Sequence, residues 1–314
     1  MKQALFIAGP TASGKSALSL KLACDLNGVI INADSMQVYD GLRTITACPS
    51  EEDEARAPHR LYRFMDPAET CSAAYWAELA MAEINAAWAS GKTPIVIGGT
   101  GMYFKVLLEG IAKIPEIDPE IRANVRRECE AEGSVKLHSE LAVYDPEAAE
   151  RLPAGDSQRI CRAVEVYRST GQSLTSWHKN TAPGLMQAAD KAGRVTKLVL
   201  DIDRETLYER CDRRFEIMLT QGALDEVRNL MSRHLDPSLP AMRALGVPQL
   251  MAHIGGEQAI EAASEAAKMQ TRRFAKRQLT WFRNQFSHWN RISAQFSESD
   301  CGKLLSKNTN FRVD

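Results

Sequence analysis

The sequence predicts an α/β fold: a parallel-sheet core flanked by helices, with a helical insertion domain. Three observations predict it. Short, unbroken apolar runs alternate with helical patterns through residues 1–100, as expected of strands buried on both faces and joined by crossover helices. The first of these runs passes through a glycine-rich turn straight into a helix. About 95 residues then separate Thr100 from the next apolar run, far more than one crossover helix requires.

Taken in order, Ala4–Ala8 (ALFIA) is the first strand, and a helix follows from Lys15 to Leu26 until Asn27-Gly28 stops it. Val29–Asn32 is the second strand, ending at Ala33-Asp34-Ser35. A helix over Tyr75–Ser90 is closed by Gly91, and Pro94–Ile97 is the third strand, ending in Gly98-Gly99-Thr100-Gly101. Helical patterns at Pro119–Glu132, Leu137–Leu141 and Arg159–Ser169 fill the long interval. A fourth strand is expected at Thr196–Ile202, with a helix from about Glu205, and Gly256–Asn290 is helical again. The expected organisation is a core over 1–115, a helical insertion over 116–191, the returning core with basic helices over 192–296, and a polar tail over 297–314.

The chain has 314 residues, 39 Lys+Arg and 40 Asp+Glu, for a net charge of −1. That balance hides a division. Residues 1–150 hold 14 basic and 22 acidic side chains (net −8), and residues 151–314 hold 25 and 18 (net +7). A basic C-terminal half is a hint of a polyanionic partner. No run reaches 18 apolar residues, which excludes a transmembrane helix, and the opening apolar run is too short for a signal-peptide core. The seven cysteines are scattered with no CxxC, as in reduced cytoplasmic proteins, and the six histidines form no zinc-binding pattern. Nothing in the sequence demands more than a monomer.

Gly9-Pro10-Thr11-Ala12-Ser13-Gly14-Lys15-Ser16 fits G-x-x-x-x-G-K-[ST], a P-loop, and lies between a strand and a helix as that motif requires. Glycines let successive backbone N–H groups turn toward phosphate oxygens, and the helix N-terminus adds the positive end of its dipole. Lys15 supplies a cation, and the Ser16 hydroxyl is suited to Mg²⁺. The motif implies a di- or triphosphate ligand without naming it.

In an open parallel sheet, ligands bind beyond the carboxyl ends of the strands, so Asp34 and Thr100 are expected beside the P-loop. Asp34 is open to three readings: a water-mediated Mg²⁺ ligand, a general base, or a cap for the next segment. Thr100 either donates to a leaving oxygen or ties down its own loop. Asp201 and Asp203 read as an ordinary strand end in preference to a second metal-binding pair. Arg210 and Arg214 share a helix face that could reach phosphates. From Ala266 to Ser297 there are seven Lys/Arg and no acid, interleaved with aromatics. Ala275, Leu279, Phe282, Phe286 and Trp289 form one apolar stripe of a helix, which leaves the cations for other faces and for phosphodiester contacts.

Six segments together resemble the bacterial tRNA dimethylallyltransferases, the IPP transferase family. They are GPTASGKS (Gly9–Ser16), INADSMQVY (Ile31–Tyr39), GGTGMYF (Gly98–Phe104), DSQRICRAVEVYRSTG (Asp156–Gly171), RCDRRF (Arg210–Phe215) and KRQLTW (Lys276–Trp281). The resemblance implies transfer of a dimethylallyl group from dimethylallyl diphosphate to the exocyclic amine of the adenine 3′ of the tRNA anticodon. It implies that Asp34 takes the amine proton, that Thr100 hydrogen-bonds the bridging oxygen, and that Lys15, Ser16-bound Mg²⁺ and Arg214 hold the diphosphate. The tRNA-contacting residues it implies are Asp34, Ser35, Met36, Gln37 and Thr100; Gln158, Arg159, Ile160, Cys161 and Arg162; Arg243; and Lys276, Arg277, Gln278, Leu279, Thr280, Trp281, Phe282 and Arg283. A stacked anticodon adenine is out of reach, so the base must be flipped into a channel that the donor enters from the other side. One departure stands out: Gly246-Val247 follows Arg243 where the family pattern has Gly-Tyr. The alternatives are a P-loop small-molecule kinase, for which the basic helix has no purpose, and a non-catalytic RNA-binding protein, for which Asp34 has none.

Overall fold

The structure, a computed structural model, describes residues 2–294; the expected polar tail lies outside them. The chain divides into two compact units. One is formed by the chain up to Leu108 and again from Leu185, the other by Glu109–Gly184.

The first unit is built on a six-stranded sheet in the order β3-β2-β4-β1-β5-β6, with every pairing parallel. Its strands are β1 (Ala4–Ala8), β2 (Gly28–Asn32), β3 (His59–Arg60), β4 (Thr93–Gly98), β5 (Val195–Asp201) and β6 (Asn290–Ser293). The α/β expectation therefore holds, and four of its strands lie where the apolar runs are. All five residues of β1 are buried, and they alternate between two faces. Ala4, Phe6 and Ala8 join a cluster with Trp76, Phe104, Phe282, Phe286 and Trp289. Leu5 and Ile7 join another with Leu18, Leu22, Leu198 and Leu207. The helices α1 (Lys15–Asp25), α3 (Ala73–Ala89) and α4 (Gly101–Glu109) cover the sheet, while α2 (Glu51–Arg56), which buries none of its side chains, lies against α1. A sheet covered on both faces needs apolar residues at every strand position, which is why these strands are continuous runs.

The second unit is all helical, with α5 (Pro119–Glu132), α6 (Ser134–Tyr144), α7 (Pro146–Arg151), α8 (Ser157–Thr170) and α9 (Leu174–Lys179). Its core includes Val125, Leu137, Leu141, Ala148, Ile160 and Val164. The Tyr144 and Tyr167 rings stack with centroids 3.6 Å apart. Arg168 holds Glu128 through two N–H···O bonds of 2.8 and 2.9 Å and also pairs with Glu140.

After Leu185 the first unit resumes with α10 (Gln187–Lys191), α11 (Arg204–Thr220), α12 (Ala223–Met231), α13 (Val247–Ile254) and the 26-residue α14 (Ile260–Gln285). A third core cluster joins α11, α12, α13 and α14 to Val38, Leu42 and Ile45. Asp203 caps α11 by accepting the Thr206 N–H at 2.9 Å, and Asp201 lies 4.0 Å from Arg291. Both acids thus serve the strand end, as the sequence favours. Val247, the departure from the family pattern, is fully buried at the start of α13.

Asp145 is 2% exposed, yet both of its carboxylate oxygens are satisfied. Oδ1 accepts the Ala148 N–H at 3.1 Å, capping α7, and Oδ2 accepts the Thr175 N–H at 3.0 Å, starting α9. Replacing it leaves two backbone donors without acceptors inside the helical unit. Asp145→Ala is expected to lower unfolding stability by about 1–3 kcal/mol, read as a lower urea midpoint; an unchanged midpoint would contradict this account.

Candidate active site

β1 ends in the P-loop, and α1 begins within it. Gly14 sits at the N-cap of α1 with φ of 92°, a left-handed conformation that glycine adopts without strain, and its position has no side-chain cap. The first turn of α1 carries no acid either, so its N–H groups are free to meet an anion. The buried hydroxyl of Ser13 has no hydrogen-bond partner, as expected of a group waiting for a ligand. Lys15 Nζ donates to the Pro10 carbonyl at 2.6 Å. Burial pushes its ammonium down to about 8; Asp34 pulls it upward and Arg214 adds to the depression. The Arg214 guanidinium, lowered by burial and drawn up by Asp34, donates through Nη2 to the Thr11 hydroxyl.

The ends of β2 and β4 are locked by specific bonds. Asn32, fully buried, accepts the Asp34 N–H at 2.8 Å and donates to the carbonyls of Asp34 and Leu61 at 3.0 and 2.9 Å. Its own carbonyl accepts the Trp76 indole N–H at 2.8 Å. Asp34 Oδ1 accepts the Met36 N–H at 3.0 Å, so the capping reading is met by one oxygen. The Thr100 hydroxyl accepts the Ser35 N–H at 3.0 Å and donates to the Ser35 hydroxyl at 3.2 Å. It therefore ties its own strand end to the neighbouring one. Gln37 Nε2 donates to the carbonyls of Thr46 and Ala47 at 3.0 and 2.8 Å, holding that loop in place.

Two cavities meet here. The first, about 440 Å³, is lined by Thr11–Ser16, Asp34, Gln37, Cys48, Asp53, His59, Tyr62, Arg210 and Arg214, among others. The second, about 320 Å³, has Ser35, Met36, Ile45, Phe215, Met218, Leu245 and Phe274 on its walls, with Arg243 and Arg277. Thr11, Asp34, Thr46 and Arg214 line both. Each is within the range of small-molecule sites, roughly 300–1,000 Å³. Thr100 lines neither, although its partner Ser35 does. Arg210 joins Arg214 on the wall, while Arg213 between them is exposed. Among the described residues no group of three His, Cys, Asp or Glu could hold a metal. The oxygens of Ser16 and Asp34 border one cavity; such hard donors suit Mg²⁺, which keeps several waters and takes further ligands from phosphate.

Several expected contact residues prove to be interior. Ile160 and Cys161 are core side chains of α8, and Leu279 and Phe282 are core side chains of α14. Only alternating faces of those segments look outward, because a helix presents a residue every 100° and not a continuous strip. Gln158 and Arg159 are exposed and Arg162 is half-buried; Arg159 and Arg162 pair locally with Asp156 and Glu165 at 3.6 and 3.9 Å. On α14, Gln278 is buried and Trp281 half-buried, while Lys276, Arg277, Thr280 and Arg283 are exposed. The acid-free run is less basic than it reads. Lys268 pairs with Glu216 at 2.7 Å and with Glu265, and Arg272 pairs with Asp212 at 2.5 Å. Those acids come mostly from α11. Ile45, Thr46, Met218 and Leu245 belong to the second cavity without any local motif to mark them; Phe274 lies in the acid-free run and Phe215 in RCDRRF.

The described chain has no helix long and apolar enough to cross a membrane. The sequence profile of the IPP transferase family matches residues 37–285. A tRNA dimethylallyltransferase of Rhodospirillum centenum is 50% identical over 298 residues, which are 95% of this chain and 92% of that protein. One of Nitrobacter hamburgensis is 49% identical over 302 residues, 96% and 94% of the two chains. The crystal structure of a tRNA delta(2)-isopentenylpyrophosphate transferase from Staphylococcus epidermidis matches with a TM-score of 0.67 and 32% identity, covering 98% of this chain and 99% of the other. With a P-loop cavity and a second cavity sharing Asp34 on their walls, and with relatives of this similarity along nearly its whole length, the chain belongs to the IPP transferase family.

Proposed function

We infer that this protein is a tRNA dimethylallyltransferase, moving the dimethylallyl group of dimethylallyl diphosphate onto the exocyclic amine of the adenine 3′ of the anticodon and releasing diphosphate. The observation that carries this reading is the junction of two cavities at Asp34 and Arg214, in a chain whose relatives bear that name. A kinase needs a site for an acceptor hydroxyl; it has no need of a largely apolar second chamber rimmed by Arg243 and Arg277, and no finding favours it.

The chemistry divides between the cavities. An exocyclic adenine amine is a weak nucleophile because its lone pair is delocalised into the ring. The reaction therefore depends on the departure of the diphosphate, and the allylic carbon gains carbocation character as the C–O bond breaks. Negative charge then builds on oxygens facing the α1 N-terminus, Lys15, Arg210 and Arg214, fixed positive groups that stabilise it. The amine nitrogen bonds to the allylic carbon and gives up a proton, for which Asp34, on the wall of both cavities, is the base in reach. The walls of the second cavity, Phe215, Met218 and Phe274, suit a flipped purine. The Ser16 hydroxyl would hold Mg²⁺, which when bound would add charge neutralisation to the diphosphate and leave Asp34 free to act as base. The Thr100 hydroxyl, bonded to Ser35, reaches a bridging oxygen only by exchanging that partner.

Incubation with labelled dimethylallyl diphosphate, Mg²⁺ and unmodified tRNA is expected to label the tRNA, and a substrate with adenine beside the anticodon that stays unlabelled would defeat the reading. Asp34→Ala is expected to lower kcat by roughly 10²–10⁴-fold with tRNA affinity largely kept; equal losses of both would make Asp34 a recognition residue. Because burial holds Lys15 near 8 in the free protein, its charge is present below that pH and lost above it. Affinity for inorganic diphosphate should therefore fall as pH rises from 7 to about 9.5 relative to Lys15→Arg, whose cation persists; parallel pH profiles would contradict this. Lys276→Ala and Arg283→Ala, both exposed, should each reduce the salt slope of tRNA binding by about 1, and an unchanged slope would exclude these two cations from the RNA contacts.

A further inference from the structure

Gln278 lies in the segment that the sequence marks for RNA contact, yet it is 7% exposed and both ends of its amide are engaged far away in the chain. Its Oε1 accepts the backbone N–H of Thr11, in the P-loop, at 2.9 Å. Its Nε2 donates to the carbonyl of Gly99, in the turn after β4, at 2.8 Å. One side chain from α14 thus joins the loop after β1 to the loop after β4.

The fit around that bridge is close. A Cβ on Gly99 would lie 2.3 Å from Gln278 Nε2 and 3.3 Å from Asp34 Oδ2, so the amide and the carboxylate both crowd the same turn. Three residues further along the helix, the Trp281 ring occupies the space a Cβ on Gly101 would need, at 1.9 Å. α14 therefore grips the turn on both sides of Thr100. The bonding demand is also specific. Thr11 offers a donor and Gly99 an acceptor, and a carboxamide is the side chain that answers both at once. A carboxylate repels the Gly99 carbonyl, and an ammonium repels the Thr11 N–H.

We propose that Gln278 is a positioning residue for the transfer reaction: it fixes the P-loop and the Gly99–Thr100 turn in the relative placement that binding and departure of the diphosphate require, and it does not contact RNA. Stabilisation of a leaving group depends on donors that stand in position before the charge develops, and a misplacement of about 1 Å costs on the order of 10²-fold in rate. Neighbouring positions on α14 then divide the labour. Lys276 and Arg283 face outward toward an RNA backbone, and Gln278 faces inward toward the cradle. The kinetic side of this proposal rests on the prenyl-transfer reading; the binding side does not.

The test is Gln278→Met, similar in volume and lacking both bonds. Calorimetry measures Kd for inorganic diphosphate, filter binding measures Kd for tRNA, and steady-state assays give kcat and the KM of dimethylallyl diphosphate at saturating tRNA. The diphosphate Kd and the donor KM are expected to rise, and kcat to fall, each on the order of tenfold, with tRNA Kd within about twofold of wild type. An unchanged diphosphate Kd and kcat, or a loss confined to tRNA binding, overturns the proposal. If the Met variant does not fold, Gln278→Glu takes its place, since it keeps the shape and the acceptor for Thr11 and removes the donor to Gly99. A reduced kcat with unchanged tRNA Kd then supports the proposal, and wild-type kcat overturns it. Wild-type protein that binds diphosphate but transfers no prenyl group would defeat the functional reading and still leave the diphosphate comparison to judge Gln278.

Discussion

An uncapped helix N-terminus surrounded by cations is an unfavourable thing to build, and the core of the first unit is arranged around one. The opening N–H groups of α1 have no side-chain acceptor, and Lys15 and Arg214 are buried beside them with their pKa values pushed down. Positive charge, desolvation and free donors therefore accumulate at one point before any ligand arrives. Such a site holds its shape only if the surrounding structure is rigid enough to deny each group an alternative partner. The buried strand β1 on one side and the bonds of Asn32, Gln37 and Gln278 on the others supply that rigidity. On the proposed reading an anion with two phosphates would relieve all three penalties together, which would link its binding to stabilisation of this region.

What could be read from the sequence follows from the same physics. Strands β1, β2, β4 and β5 are covered on both faces, so they had to be apolar runs, and the P-loop had to follow the first. Strands β3 and β6 could not be read because they are edges: His59–Arg60 and Asn290–Ser293 are short and mostly exposed, with no apolar periodicity to show. The cradle and Asp34 were legible from motif and strand end. The second cavity was legible only in part: Ser35, Met36, Arg243 and Arg277 were expected contacts, whereas Ile45, Met218, Leu245 and Phe274 converge through the packing of α11, α14 and two loops, and no window along the chain contains them together.

Charge misled in a similar way. A window over α14 counts cations and finds no acid, but Asp212 and Glu216 reach across from α11 and neutralise Arg272 and Lys268. Local charge density is a property of a surface, and neighbouring helices share one. The remaining outward cations of α14, Arg273, Lys276, Arg277 and Arg283, are fewer than the sequence count implies. Gln278 taught the opposite lesson: it sat inside a motif flagged for an outside partner, and its burial joined it to the interior.

On the proposed reading, the two halves of the reaction assist each other through one carboxylate. Asp34 is the acid whose field acts on both Lys15 and Arg214, and while ionised it offsets part of their attraction for diphosphate. Taking a proton from the adenine amine removes that offset at the moment when charge builds on the departing oxygens. The cations then hold the leaving group more strongly than they held the substrate, which is the condition for stabilising a transition state in preference to a ground state. A base placed beyond reach of Lys15 and Arg214 would deprotonate the amine equally well and gain none of this. The position of Asp34 on the shared wall of two cavities, rather than inside either one, gives a P-loop protein a reason to carry out alkyl transfer.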